Sequence, residues 1–174
     1  MPDKSDLSVQ TFLAQATETA AAELIAALDA LPPDRRDWQA TKTARSALDQ
    51  FAECALLNDN TADLIRQRRG NPAIYTDEYV QRIAALRADE AGARALLTAS
   101  GVRASAAIRS VPDGDLNDAI PLPWGPITLR ELIAFPFWNM TYHQGQIRYI
   151  ATLLAPVPLP WSFLQRTIRA SSAH

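Results

Sequence analysis

Apolar residues recur at steps of three and four along most of this chain, and proline-rich breaks divide the pattern into long stretches. This spacing places the apolar side chains on one face of an α-helix. The first stretch covers about residues 8–31 and stops at Pro32 and Pro33, because proline cannot continue a helix. Its stripe consists of Val9, Phe12, Leu13, Ala16, Ala20, Leu24, Leu28 and Leu31.

Three further stretches show the same periodicity. The second predicted helix covers about residues 44–68. The third follows Thr76, a plausible N-cap, and extends to about residue 108, with Gly101 as a break or kink. The fourth covers about residues 129–154, because Thr128 and Glu131 have the spacing of a capping box ahead of an apolar run.

These stretches predict an all-α protein, a four-helix bundle in one domain over residues 1–174. A proline-rich connector, VPDGDLNDAIPLPWGPI, precedes the last long helix. A short tail, WSFLQRTIRA, predicts a final helical segment that covers the bundle. No strand alternation and no internal repeat is visible.

The composition excludes several classes of protein. A net charge of −2 provides no basic stripe for nucleic acid, and the absence of a long apolar run predicts no membrane span. The single Cys54 permits no internal disulfide. Only His143 and His174 are histidines, so one chain cannot build a three-histidine metal site. The polar N-terminus lacks a signal-peptide pattern, which favours a cytoplasmic protein.

A polar ridge on the fourth helix is the first candidate site. Asn139 lies four residues before His143 and Gln146 three after it, so the three share one edge of the apolar face. Gly145 costs roughly 1 kcal/mol inside a helix, which is easier to understand if another group approaches the backbone there. The ridge is either a cavity wall or a half-buried histidine with amide neighbours, and from the spacing alone the second interpretation is favoured.

The same segment carries a family resemblance. Residues 123–154, with the core Tyr142, His143, Gly145, Gln146 and Ile147, resemble the C-terminal helix region of the DinB/YfiT-like superfamily. Residues 43–58, TARSALDQFAECALLN, resemble the second helix of that family. The resemblance implies a four-helix bundle associated with metal-dependent chemistry.

The resemblance also implies a ligand set. In the family, three histidines hold a metal, and their positions correspond here to Glu53, Asn139 and His143, with Asp49 the nearest substitute for Glu53. The implied metal is zinc, nickel or iron, but an amide oxygen is a poor ligand beside carboxylate and imidazole. The alternative is that Glu53 accepts a hydrogen bond from His143 or Asn139 and no metal binds.

Other side chains are weaker candidates. Cys54 is expected to be a buried, inert thiol, and a Ser46–His143–Asp49 triad lacks any nucleophile elbow. The tryptophans are expected to be core and lid residues, three of them near the fourth helix as an aromatic wall: Trp38, Trp124, Trp138 and Trp161. A ligand cleft is predicted from Trp138, Tyr142 and Gln146.

Three functions remain open at this point. The resemblance implies a metal-dependent thiol-transfer or hydrolase-type enzyme with an altered ligand set. The second hypothesis is a non-catalytic small-molecule-binding or stress-associated bundle that has lost the metal. The third is metal-free acid–base chemistry by Glu53 and His143.

A homodimer is the expected assembly, from the habit of the family and from one face of the second helix. Opposite the stripe centred on Phe51, that helix carries Leu56, Leu57 and Leu64 beside Glu53. These leucines either line a central cleft or form a dimer face.

Overall fold

Five α-helices make up most of the structure, a computed structural model that describes residues 8–70 and 76–155. The long helices are α1 (Val9–Asp29), α2 (Ala47–Gln67), α4 (Glu90–Arg109) and α5 (Leu129–Leu154), and α3 (Asp77–Ala88) is shorter. The all-α prediction is confirmed. The predicted C-terminal helical segment lies outside the described residues.

The four long helices form a bundle in which α1 lies diagonally opposite α2, and α4 lies diagonally opposite α5. Helices α1 and α2 each pack against both α4 and α5, so the order around the bundle is α1, α4, α2, α5. Helix α3 packs on the outside against α2. This order brings α2 and α5, which carry the candidate site residues, side by side.

Side-chain caps set the helix ends. Ser8 and Ser46 accept hydrogen bonds from backbone amides at the starts of α1 and α2, so α2 begins at Ala47, slightly later than predicted. The predicted capping box of Thr128 and Glu131 is present, and α5 has the predicted bounds.

The third predicted helix is divided at Asp89 rather than at Gly101. The Asp89 carboxylate accepts a hydrogen bond of 3.0 Å from the Gly92 N–H and caps α4. Gly101 lies inside α4 and faces α1, where a Cβ added to it would lie 3.4 Å from the Ala21 side chain. The helix therefore continues through Gly101, which is buried against α1.

A two-stranded antiparallel hairpin lies within the proline-rich connector. Strand β1 (Ala119–Ile120) pairs with β2 (Ile127–Thr128), which leads directly into α5. The prediction contained no strand, because two residues are too few to show alternation. Gly125 in the intervening loop has a φ of +127°, which glycine adopts without strain.

The core consists of small and aliphatic residues from all four long helices, with Phe51 fully buried between them. The predicted stripe of α5 is buried at Leu129, Ile133, Met140 and Ile147. Of the tryptophans, which were predicted to be core and lid residues, Trp38 packs against the core, whereas Trp124 and Trp138 are mostly exposed and are not core residues. Trp161 lies outside the described residues. Among the described helices, none is long and apolar enough to cross a membrane.

Candidate functional site

Glu53 on α2 and His143 on α5 meet where the two helices pack together. The His143 Nε2 atom lies 3.6 Å from Glu53 Oε1. Glu53 projects from the α2 side opposite Phe51, and His143 follows Met140 by three residues at the edge of the core stripe. The structure therefore places Glu53, and not Asp49, against the histidine.

Two glutamines contact the other ring nitrogen of the imidazole, Nδ1. His143 Nδ1 lies 3.0 Å from Gln50 Oε1 and 2.8 Å from Gln146 Oε1. The Gln50 amide nitrogen donates to the Arg45 carbonyl at 3.4 Å, which fixes the amide so that its oxygen faces the ring. Nδ1 must then carry a proton and donate it to the two amide oxygens.

This arrangement has a consequence for the opposite nitrogen. If the ring is neutral with its proton on Nδ1, the Nε2 lone pair faces the oxygen of Glu53, and two acceptors repel each other. A second proton on Nε2 removes the conflict and makes an ion pair with Glu53. A cation between Nε2 and Oε1 would have the same effect.

Arg45 completes the environment of Glu53. Its guanidinium Nη1 donates to Glu53 Oε2, and its Nε donates to Asp49 Oδ2 at 2.7 Å. Burial by itself raises the pKa of Glu53, but the hydrogen bonds from His143 and Arg45 and their positive charge outweigh it and lower that pKa to about 2. Glu53 is therefore a carboxylate throughout the neutral range.

The four ionisable groups are balanced in charge when the histidine is protonated. Arg45 and His143 are then cations and Asp49 and Glu53 are anions, so their formal charges sum to zero. We call these four residues the Arg45–His143 cluster.

Asn139 does not join this cluster. Its side chain is buried, and Oδ1 accepts a hydrogen bond of 3.2 Å from the Cys54 thiol. Burial, aided by the negative charge of Glu53, raises the pKa of Cys54 well above its usual value, so the residue remains a thiol. This contact agrees with the expectation that Cys54 is a buried, inert thiol.

An apolar cavity of about 360 Å³ begins at Glu53. It lies between α2, α3, the hairpin and the first turns of α5, and most of its lining is aliphatic or aromatic: Leu57, Leu64, Leu122, Trp124, Ile127, Leu132 and Phe135. Asn60, Thr61 and Tyr79 add polar atoms. Leu57 and Leu64 line this cavity and Leu56 is fully buried, so the leucine face of α2 lines a cleft within the chain.

A second, more open groove of about 510 Å³ lies on the other side of the cluster. Tyr142, Gln146 and Tyr149 of α5 form one wall, and Arg45 and Gln50 form part of the other. Of the predicted ligand cleft, Tyr142 and Gln146 line this groove, and Trp138 stacks on Tyr142 with ring centroids 5.7 Å apart. Within the described chain, nothing lies within 4 Å of the place where a Gly145 side chain would project.

The Ser46–His143–Asp49 triad is not formed. The Ser46 hydroxyl donates to Asp37 at 2.9 Å and accepts from the Asp49 backbone N–H, as the cap of α2. Asp49 is held by Arg45 and not by the histidine. Ser46 is therefore a structural residue.

The donor chemistry of the site does not fit the metal that the resemblance implies. A catalytic zinc-type site needs three good protein ligands. Glu53 and His143 offer two, but Arg45 already occupies one oxygen of Glu53, and the Asn139 oxygen is bonded to Cys54. Over residues 8–70 and 76–155, no group of three His, Cys, Asp or Glu side chains is arranged to hold a metal ion.

Several residues of the site were not predicted from the sequence. Arg45, which precedes the cap of α2, contacts Glu53, and Gln50 of α2 contacts His143. Tyr79 of α3 lines the apolar cavity. Gln50 precedes Glu53 by three residues, so helical spacing is a signal that points to it. Nothing in the sequence alone indicates the contribution of Tyr79, because α3 is positioned by tertiary packing.

Comparisons with known proteins agree with this architecture. Residues 16–147 match the family model of the DinB superfamily. The structure is similar to YfiT from Bacillus subtilis, which is described as a probable metal-dependent hydrolase with an unusual four-helix bundle topology. That match has a TM-score of 0.73 and 17% sequence identity, and it covers 88% of this chain and 93% of the other.

A second solved structure shares the fold. It is the DinB-like protein YjoA from Bacillus subtilis, with a TM-score of 0.64, 14% identity, and coverage of 86% of this chain and 96% of the other. The sequence has no significant match among curated proteins. At these identities the two structures establish the fold alone.

Proposed function

The chain belongs to the DinB superfamily, and from that premise we propose that it is a non-catalytic bundle that binds a small molecule and works without a metal. The closed Arg45–His143 cluster carries this proposal. Both ring nitrogens of His143 and both oxygens of Glu53 face side chains of the protein itself. The third expected ligand, Asn139, is bonded to Cys54.

The same cluster argues against acid–base catalysis by Glu53 and His143. A general base needs a pKa near the working pH and an atom within reach of the substrate. The pKa of Glu53 is lowered to about 2, so this carboxylate is a very weak base. His143 is buried, with Nδ1 bound to two amides and Nε2 directed at Glu53.

The apolar cavity defines the class of ligand. Its lining fits a compact, ring-containing or branched apolar molecule, since aliphatic and aromatic side chains supply most of the wall. Because Arg45 already forms an ion pair with Glu53, the cavity does not demand a cation. We therefore propose an uncharged ligand.

One polar contact orients this ligand. The Asn60 side chain lies beside the Tyr79 hydroxyl, and both residues line the cavity. Burial raises the pKa of Tyr79 to about 12, so its hydroxyl stays protonated. A carbonyl or ether oxygen on the ligand would accept a hydrogen bond from the Tyr79 hydroxyl at the cavity wall.

Metal analysis tests the first half of the proposal. Protein purified without a histidine tag should contain no stoichiometric zinc, nickel or iron, and calorimetric titration with each metal should show no saturable site. One metal per chain, with a rise in melting temperature, would overturn the proposal. That result would favour the metal-dependent thiol-transfer or hydrolase-type enzyme that the resemblance implies.

Ligand binding tests the second half. A panel of small ketones, phenols, amines and carboxylic acids is screened by the fluorescence of Trp124, which lines the cavity. We expect the uncharged compounds to bind, and Leu57→Trp to abolish binding by filling the space. Val102→Trp, at an exposed position on α4, is the matched control. Binding that survives Leu57→Trp, or a panel without any saturable binder, would contradict the proposal.

A further inference from the structure

A third groove, of about 380 Å³, lies between α1 and α5 and shares no lining residue with the cavity or the groove beside Glu53. Two phenylalanine rings, two alanines and one carboxylate line it: Phe12, Phe137, Ala16, Ala20 and Glu23. Phe12 is 56% exposed, although the apolar stripe predicted for α1 included it. The helix therefore directs this ring into the groove rather than into the core.

Glu23 differs from the other two acids of α1 in its partners. Glu18 and Asp29 each pair with an arginine of α4, at 2.8 and 2.6 Å. Glu23 is half-buried and faces α5, where it accepts a hydrogen bond of 2.9 Å from the neutral side-chain amide of Gln144. Among the described residues, no arginine or lysine forms an ion pair with it. The groove thus contains a carboxylate whose charge is not balanced within the described chain.

The charge and the aromatic rings occupy different parts of the groove. Phe12 precedes Glu23 by eleven residues, about 16 Å along the axis of α1. Phe137 precedes Gln144, the partner of Glu23, by seven residues, about 10 Å along α5. Two alanines of α1 lie between these ends, and their small side chains leave the path open. The groove therefore fits an elongated molecule with a positive head and an apolar tail.

We propose that this groove binds a small elongated primary amine, with its ammonium group at Glu23 and its tail directed toward Phe12 and Phe137. The Thr141 hydroxyl donates to the Phe137 carbonyl at 2.9 Å, so its oxygen can still accept a hydrogen bond from the ammonium group. An acid with the same tail would be repelled by Glu23. This proposal is independent of the uncharged ligand proposed for the apolar cavity.

Calorimetric titration with octylamine tests both ends of the groove. The amine is a cation at pH 7, as lysine is, and we expect one saturable site per chain. Octanoate, which has an equally long chain but the opposite charge, should not bind there. Hexylamine should bind more weakly, by roughly fourfold for each methylene that it lacks, because each lost methylene removes buried apolar surface.

Substitution of Glu23 tests the recognition of the charge. Glu23→Gln keeps the size of the side chain and an oxygen that accepts from Gln144, but it removes the negative charge. It should weaken octylamine binding roughly tenfold or more. Glu18→Gln is the matched control, because Glu18 lies on the same helix, outside the groove, and is already paired with Arg109. Its affinity for octylamine should equal that of the wild type.

Leu57→Trp separates this proposal from the proposed function, because it fills the apolar cavity and leaves the α1–α5 groove unchanged. The folded variant should bind octylamine as the wild type does. Loss of octylamine binding in this variant, no saturable binding to the wild type, or equal effects of Glu23→Gln and Glu18→Gln would each overturn the proposal. Butylamine has the length of a lysine side chain. If it bound as tightly as octylamine, the groove would instead take a lysine of a protein partner, and the proposal of an elongated amine would be wrong.

Discussion

Two contacts between α2 and α5 lie side by side and differ in chemistry. Glu53 lies against His143 and forms an ion pair with Arg45, whereas the next residue, Cys54, faces Asn139 in a neutral hydrogen bond. Glu53 and Arg45 retain side-chain exposures of 20% and 39%, but Cys54 is fully buried. Burial explains why the second contact is neutral, because an unmatched charge at the Cys54 position would lose its hydration entirely.

The same pair of contacts divides the ligand positions that the resemblance assigns to one metal site. Glu53 and His143 belong to the charged contact, and Asn139 belongs to the neutral one. A bound divalent ion would need all three to turn toward one point. Each predicted change below tests whether the two contacts are as separate as their geometry indicates.

The largest effect on stability is expected when one residue of each contact is replaced by a histidine that can bind a metal. Glu53→His with Asn139→His, beside His143, should create a zinc site that the parent lacks. At a zinc concentration about 1,000 times the dissociation constant, binding should stabilise the variant by about 4 kcal/mol, measured as a shift in melting temperature. Asn139→His alone is the control and should gain much less. No gain in the double variant would mean that the helices do not hold these positions in the family geometry.

Removal of the carboxylate from the charged contact should have the next largest effect. Glu53→Ala leaves Arg45 and His143 without their shared anion, and the expected loss is about 3 kcal/mol in the free energy of unfolding, measured with urea. Asp49→Asn is the matched control, since Asp49 also binds Arg45 but does not contact the histidine. Its expected cost is below about 1 kcal/mol. Equal losses in the free energy of unfolding would mean that Arg45, and not the Glu53–His143 pair, provides the stability.

The helices themselves were largely predictable, because their signals are local. The Thr128–Glu131 capping box and the apolar stripe of α5 predicted the bounds that the structure has. The break at Asp89 was missed because the break was expected at Gly101, whereas the Asp89 side chain caps α4 and Gly101 lies inside that helix. The hairpin was missed because each strand has only two residues.

The site was less predictable than the fold. The resemblance pointed to Glu53 and His143, which the structure brings together. The role of Arg45 was not visible, because it reaches Glu53 from eight residues away, across the start of α2. The state of Asn139 was not visible either, since its partner Cys54 lies on another helix and the direction of an amide is set by tertiary contacts.

The charged contact should also make stability depend on pH. The folded pKa of Glu53 is about 2, below its ordinary value of 4.5, so the pair contributes its full stability above about pH 4.5 and loses it as the pH falls toward 2. The wild type should therefore lose on the order of 2 kcal/mol relative to Glu53→Gln over that range. Urea unfolding of both proteins at several pH values measures this difference. Parallel curves would show that Glu53 is not held as an ion-paired carboxylate.

The neutral contact should give the smallest effect and no dependence on pH. Cys54→Ala removes the thiol donor and leaves the buried Asn139 oxygen unpaired, at an expected cost of about 1 kcal/mol. Cys54→Ser keeps a donor of similar size and should lose less than the alanine variant. Because the pKa of Cys54 is raised and the thiol stays neutral, the cost of Cys54→Ala should be the same at pH 5 and pH 8. A cost as large as that of Glu53→Ala, or one that changes between these pH values, would mean that Cys54 shares the charge of its neighbour and that the two contacts form a single network.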